Sequence, residues 1–289
     1  MDRYAAHDGA DGRAVARGRL HQGAGALVIA AGELHSIAAL AQRDLTKLLR
    51  DRARLITTII FPFIFIGALG GTLSANFGRA PGFDFLTLTF TGVYAQTLFQ
   101  STAMGMISLV IDRENDFSQE LFIAPVSRYT IIAGRILGET LVALPQALAI
   151  IAFGLVIGIP ISPGQLAALI GTGLVVAFFG GAFGVLVLAF LNNQRAANQV
   201  FPFIFLPQFF LAGVFAPIQV LPWYLEIASR IAPLRYAVDF VRGVFYAGSP
   251  DYQHVVLEDP ATNFAIIAPA FVICLVVGTF FFVRSERNR

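Results

Sequence analysis

Residues 112–139 read DRENDFSQELFIAPVSRYTIIAGRILGE. This block of charge stands between two long apolar runs, each able to cross a bilayer. Ionised side chains at this density cannot lie in hydrocarbon, so the segment belongs in water and its flanks in lipid. It is also patterned. Phe117, Leu121 and Phe122 recur at helical spacing, and Pro125, which breaks a helix, follows them. The expectation is a short amphipathic helix held between two membrane spans, where a soluble partner can push on it.

Composition points the same way. Of 289 residues, 56% are hydrophobic and 13% are charged, against about 25% charged in soluble domains. An all-α integral membrane protein follows. Residues 1–32 are rich in Gly, Ala and Arg without a period and read as a disordered cytoplasmic tail. Their apolar run at 23–32 is too short to span, and Asp2, Asp8 and Asp11 weigh against a signal peptide. Residues 33–289 form the membrane domain. It opens with an interfacial helix over 33–54, where Leu34, Ile37, Ala41, Leu45 and Leu48 make one apolar stripe. Arg43, Lys47, Arg50, Arg52 and Arg54 supply charge suited to a headgroup layer. The single cysteine, Cys274, falls in the last apolar run, where a small buried residue is the simplest reading.

Six runs reach the roughly 20 residues that a bilayer core demands: about 55–75, 85–111, 136–159, 165–191, 196–216 and 263–283. With the N-terminus inside, the outer segments hold Arg79, Arg230, Arg235 and Arg242, and the other 16 of the 20 Lys and Arg lie inside. Both ends and the 112–135 loop are therefore expected in the cytoplasm. Arg135 and Glu139, one turn apart at the inner end of the third run, suit an i,i+4 pair. Pro202, Pro207, Pro217 and Pro222 punctuate the fifth run and its exit. The chain beyond Pro217 is too apolar for a free loop and too charged for a span. It reads as a re-entrant hairpin in the outer leaflet between helices 5 and 6, with Leu221, Leu225 and Ile231 toward lipid and Glu226, Arg230 and Arg235 toward water. Small residues four apart, among them Gly173, Ala177 and Gly181, or Gly180 and Gly184, allow close helix approach within or between subunits.

Catalytic and metal constellations are missing from the sequence. The only lysine, Lys47, is preceded by Thr46 and followed by Leu48, so no Gly-Lys-Ser/Thr phosphate loop exists here. The chain is expected to bind no cofactor and to be no enzyme. Its span interiors hold almost no ionisable group, which leaves proton coupling without its usual carrier; Glu139 near the inner end reads as structural. Uncharged polar groups do occur: Gln96 and Gln100 on the second run, Asn198, Gln199 and Gln208 on the fifth. They fit either glue between those two helices or a sparse polar lining for a transport path.

Two segments resemble the membrane subunits of type 2 ABC exporters, the drug-resistance and lipid-exporting permeases. One is Asp112-Arg113-Glu114, Glu120 and Ala124-Pro125-Val126-Ser127-Arg128. The other is Gly213, Pro217, Leu221-Pro222-Trp223, Pro233-Leu234, Tyr236-Ala237-Val238-Asp239 and Arg242. Asn115-Asp116 stand where the family often has Gly, and Ala232 where an Asn often precedes Pro-Leu. The resemblance covers roughly 33–285. It implies a coupling helix whose Arg113, Glu114 and Glu120 grip a separate ABC ATPase, with Pro125 ending it and Arg128 in the turn beyond. It implies a second permease subunit, identical or paralogous, and ATP and Mg on the ATPase. It also implies export of a hydrophobic or amphipathic substrate (drug, lipid or glycolipid) across a bacterial plasma membrane, with no nucleic acid involved. The alternatives are a non-transporting sensor or assembly protein on the same scaffold, and an ion-coupled exporter.

Overall fold

The computed structural model describes residues 60–77, 82–114, 128–191 and 193–287, together with Gln42, Thr46 and Ile56. The expected tail over 1–32, nearly all of the interfacial helix over 33–54, and the segment 115–127 with Glu120 and Pro125 lie outside the described residues. Every regular element among the described residues is helical. In chain order these are α1 (Ile60–Phe77), α2 (Phe85–Gly105), α3 (Ile107–Glu114), α4 (Arg128–Val156), α5 (Pro163–Leu188), α6 (Gln194–Leu211), α7 (Trp223–Ile231), α8 (Pro233–Phe245), α9 (Tyr252–Val255) and α10 (Pro260–Arg287). Within α1 the stretch Phe65–Gly70 is π-helical.

Four helices among the described residues are long and apolar enough to cross a membrane: α1, α4, α5 and the one ending in α10. The two other long runs fall short on polarity. In α2 the reason is burial. Every residue from 88 to 99 is buried, so α2 is packed on all sides by protein. A helix so enclosed buries its hydroxyls, and two of them bond within the helix. Thr91 Oγ1 donates to the Thr87 and Leu88 carbonyls, and Thr102 Oγ1 to those of Leu98 and Phe99. In α6 the first two turns hold Gln194, Arg195, Asn198 and Gln199, and Pro202 and Pro207 lie inside the helix. The second expected run is also broken, by a turn at Met106 between α2 and α3.

The core is built on α5 and α2. A Cβ on Gly180 would meet the Phe99 backbone, 2.8 Å from its Cα, and one on Gly184 would lie 2.8 Å from Ala103 Cα. Gly181 faces Ile136 of α4 in the same way. The small-residue stripe of α5 is thus spent on packing inside this chain, which settles for these glycines the choice the sequence leaves open. Phe99, Phe179 and Phe205 pack edge to face around the contact, geometry that adds to burial alone. α10 lies against α5, where Gly278 meets Leu186. α8 packs on α2, α5 and α10 and closes one end of the bundle.

Helix ends are defined by side chains. Asp84 caps α2 by accepting from Thr87 N at 2.9 Å, and its other oxygen accepts from Ser74 of α1 at 3.2 Å. Burial pushes the Asp84 carboxyl up, but the hydrogen bonds from Thr87 and Ser74 outweigh it and hold the group below its ordinary value. Ser162 and Gln165 form a reciprocal capping box at the start of α5. α6 ends in a Schellman motif: Gly213, at φ 68°, donates to Phe210 O and Val214 N to Phe209 O.

Candidate functional site

At one end of the bundle the chain leaves the described residues after Glu114 and returns at Arg128. The side chains at this exit are engaged with neighbouring helices. Arg135 Nη2 donates to Asp112 Oδ2, joining α4 to α3, with Arg135 only 3% exposed. The sequence pairs Arg135 with Glu139 and does not name this partner. Glu114 Oε1 accepts from Gln194 N at 3.0 Å, on the first residue of α6. Asn193, the residue before, accepts from Ala196 N at 2.7 Å. Two side-chain oxygens, one from the N-cap of α6 and one from α3, therefore satisfy the first amides of α6, and a negative one there also complements the helix dipole. Arg113 stands one residue before Glu114 on α3, and Arg128 opens α4.

Glu139 is buried, and its carboxylate fills the space beside Gly105 that any larger residue would need. The sequence puts Glu139 near a helix end but gives no sign of the glycine across from it. Only the fold brings residues 105 and 139 together.

A cleft of about 310 Å³ opens between α1 and α2. Phe61 and Pro62 form one wall; Thr97, Gln100, Ser101, Met104 and Gly105 form the other. Gln96 Nε2 donates to Gln100 Oε1 at 3.4 Å, and Gln100 Nε2 points to Met104 Sδ at 3.7 Å. Gln96 Oε1 and Thr97 Oγ1 are buried with no partner among the described residues. Each such orphan costs about 1–3 kcal/mol; both atoms lie beneath the wall, and its partly exposed polar residues are Gln100 and Ser101.

The other amides named from sequence lie apart. Gln208 is buried, donates to Ile204 O at 3.2 Å and accepts from Leu234 N at 3.3 Å, so it splices α6 to the start of α8. Asn198 and Gln199 are exposed on α6. Of the five, Gln100 lines the cleft and Gln96 is bonded to it. Phe61, Pro62 and Met104 complete the cleft, and no sequence pattern marks them.

The opposite end is built on the short helices α7 and α8. Pro217 lies in the turn after α6, Pro222 is the N-cap of α7, and Pro233 opens α8, a position that suits its fixed φ. Trp223 is 76% exposed. Tyr236 Oη donates to Arg230 O at 2.8 Å. α8 then carries Arg235, Asp239 and Arg242, all buried. The expectation that Arg235 faces water gives way: Arg235 Nη1 donates to Ser229 Oγ at 2.9 Å and to Glu226 Oε1 at 3.4 Å, inside the α7–α8 corner. The Arg230 hydrogen bond, with both guanidiniums nearby, holds the Glu226 carboxyl below its ordinary value. Asp239 accepts from Leu257 N and Glu258 N at 2.8 Å and from Asn263 Nδ2 at 2.7 Å. Arg242 Nη2 donates to Leu88 O and Val214 O, both at 3.2 Å, which ties α8 to α2 and to the turn after α6.

Comparison with known proteins bears on both ends. The profile of the ABC-2 type transporter family matches residues 35–246. A provisionally named transport permease of Cyanophora paradoxa, ycf38, is 25% identical over 221 residues, 71% of this chain and 72% of that protein. Nodulation protein J of Rhizobium meliloti is 25% identical over 76% of this chain and 84% of its own length. YbhR of Escherichia coli K12, provisionally named a multidrug ABC transporter permease, is 26% identical over 48% of this chain and 38% of itself.

Proposed function

The chain belongs to the ABC-2 type transporter family, and from that membership we propose that it is the membrane subunit of an ATP-driven exporter of hydrophobic or amphipathic molecules. ATP hydrolysis falls to a separate ATPase subunit, which holds the ATP and Mg; this chain supplies the path and the lever. α1, α2–α3, α4, α5, α6 and α10 serve as six spans with cytoplasmic ends, α7 and α8 as the outer re-entrant hairpin, and a second permease subunit completes the path.

The observation that carries the reading is the bracing where segment 115–127 leaves and rejoins the bundle. Asp112–Arg135 and Glu114–Gln194 bind the ends of α3, α4 and α6 to one another. A push on the segment by a closing ATPase therefore reaches three helices together. α3 follows α2 after a single turn, so the push also acts on the helix whose Thr97, Gln100 and Ser101 wall the cleft. That cleft, with uncharged hydrogen-bonding groups on one side and Phe61 on the other, suits an amphipathic molecule.

Glu120 is the residue that tests it. Removing one member of a partly desolvated interfacial charge pair costs about 2–5 kcal/mol, whereas a charge on a solvated loop is worth about 1 kcal/mol or less. With a candidate ATPase co-expressed, Glu120→Arg is expected to leave membrane insertion intact and to abolish co-purification of the ATPase or its stimulation by substrate. Glu258→Arg, at an exposed position beside Asp259, is the control and should be silent. Normal export and a full complement of ATPase in Glu120→Arg would remove the lever from the reading.

A further inference from the structure

A second cavity, of about 220 Å³, lies between α2, α4 and α5 and shares no residue with the cleft of the proposed path. Its floor is fully buried: Tyr94 and Leu98 of α2, Ala147 of α4, Gly173 and Ala177 of α5. Its mouth is apolar and open, with Leu148 of α4 at 54% and Ile170 of α5 at 38% exposure. α4 and α5 are both among the helices long and apolar enough to cross a membrane, and on the six-span reading proposed above, on which this inference rests, the mouth opens to the bilayer.

The polar atoms of the wall are spent elsewhere. Tyr94 Oη donates to Leu169 O at 2.7 Å, and Thr140 Oγ1 donates to Ile136 O at 2.8 Å. A water inside would find no two to four polar partners, so the cavity is unsuited to water and suited to hydrocarbon. Small residues make the space: a side chain at Gly173 would run into Tyr94 and Leu98, and Ala143, Ala147 and Ala177 keep the rest of the floor low. Pro145 lies inside α4 between the lining residues Leu144 and Ala147. It removes one backbone donor from the helix there.

We propose that this cavity is a binding site for one unbranched acyl chain, entering from the bilayer between α4 and α5. The volume accepts a run of several methylenes but not a headgroup, and the wall offers nothing to a charge. The chain can belong to a phospholipid or to a free fatty acid; the chemistry recognised is the same.

The test places a tryptophan on the cavity lining, Leu144→Trp, in full-length protein with the native Trp223 replaced by Phe, and reads quenching by brominated lipids. A second probe, Val276→Trp on the exposed face of α10 (59% exposed), reports ordinary lipid contact. A chain already in the bilayer gains no hydrophobic transfer energy on entering the cavity, so the site is recognised by how many chains the probe touches: one seated chain beside Leu144→Trp, several mobile lipids around Val276→Trp. Quenching of Leu144→Trp should therefore rise in direct proportion to the brominated fraction, whereas Val276→Trp should be quenched more steeply at low fraction. Adding Ala147→Phe should abolish that difference. Dibromostearic acid in unlabelled vesicles and brominated phosphatidylethanolamine form the two arms, and the arm in which Leu144→Trp shows the proportional rise identifies the source. Parallel quenching curves for the two probes in both arms would overturn the proposal. If the Ala147→Phe protein does not fold, the comparison of the two tryptophan probes still decides.

Discussion

Asp239 is the most heavily committed side chain at the hairpin end, with three donors on one carboxylate. Asp239→Ala takes the acceptor from the Leu257 and Glu258 amides, while Asn263 Nδ2 keeps the Glu258 and Asp259 carbonyls; a lost hydrogen bond to a charged group is worth about 1.5–3 kcal/mol. The variant is expected to insert but to unfold in detergent well below the parent temperature, with the 257–263 connection exchanging its amides first. Glu114 gives a sharper distinction. Glu114→Gln retains an oxygen for Gln194 N, whereas Glu114→Ala loses it, at about 0.5–2 kcal/mol for a lost cap. Accelerated exchange at the first amides of α6 in the alanine variant alone would identify the cap. A gripping role would instead show as loss of ATPase binding in both. Asp84 has a pH signature. Its carboxyl is held below the ordinary value in the folded chain, so its stabilisation is complete above the unfolded value of about 3.9. That stabilisation is lost as pH falls through the lower folded-state value. The protection factor at Thr87, the exchange rate of a free amide at the same pH divided by the rate observed, should fall only in that acid range and lose its pH dependence in Asp84→Ala.

Among elements, the contact between α5 and α2 is backbone on backbone and leaves no room for a side chain. A side chain on Gly180 must displace the Phe99 backbone, which has no rotamer to change. Gly180→Leu is expected to cost more than the roughly 1–3 kcal/mol of ordinary overpacking, read as loss of monodisperse protein after extraction. Gly171→Leu, where the added carbon meets nothing, should be tolerated. Elements of this kind were partly legible in sequence. The apolar runs mark the places of α1, α4, α5 and α10, because lipid-facing helices must be apolar to be stable. Their ends were less legible. α4 begins at Arg128 and not at 136, because Arg135, once bonded to Asp112, can lie inside a helix that its charge alone would exclude. The buried Arg235 was missed for the same reason: hydropathy counts a charge and cannot see the Ser229 hydroxyl and Glu226 carboxylate waiting for it. The cleft was half legible, since Gln100 stands out among apolar neighbours while Phe61 and Pro62 do not.

For the whole molecule the charge asymmetry predicts which end is wet on which side. Single cysteines at 118 and 251, in a Cys274→Ser background, are expected to be protected from and open to an impermeant reagent in intact cells, respectively. Labelling at 118 from outside would invert the topology. The purified chain should neither bind nor hydrolyse ATP, measured by equilibrium nucleotide binding, because it lacks a phosphate loop. The buried charges of α8 also impose a timetable on biosynthesis. When the ribosome has delivered the chain only as far as Phe245, Asp239 already exists while Leu257, Glu258 and Asn263, which satisfy it, have not been made. The guanidiniums of Arg235 and Arg242 find partners already made, in Glu226, Ser229, Leu88 and Val214, but lipid will not accept the open Asp239 carboxylate, so α8 is expected to wait at the membrane surface until residues 257–263 are made. Quality-control proteases can read that waiting state: chains stopped before Pro260 should be cleared in a pulse-chase far faster than full-length ones, and faster than those truncated after Ser285.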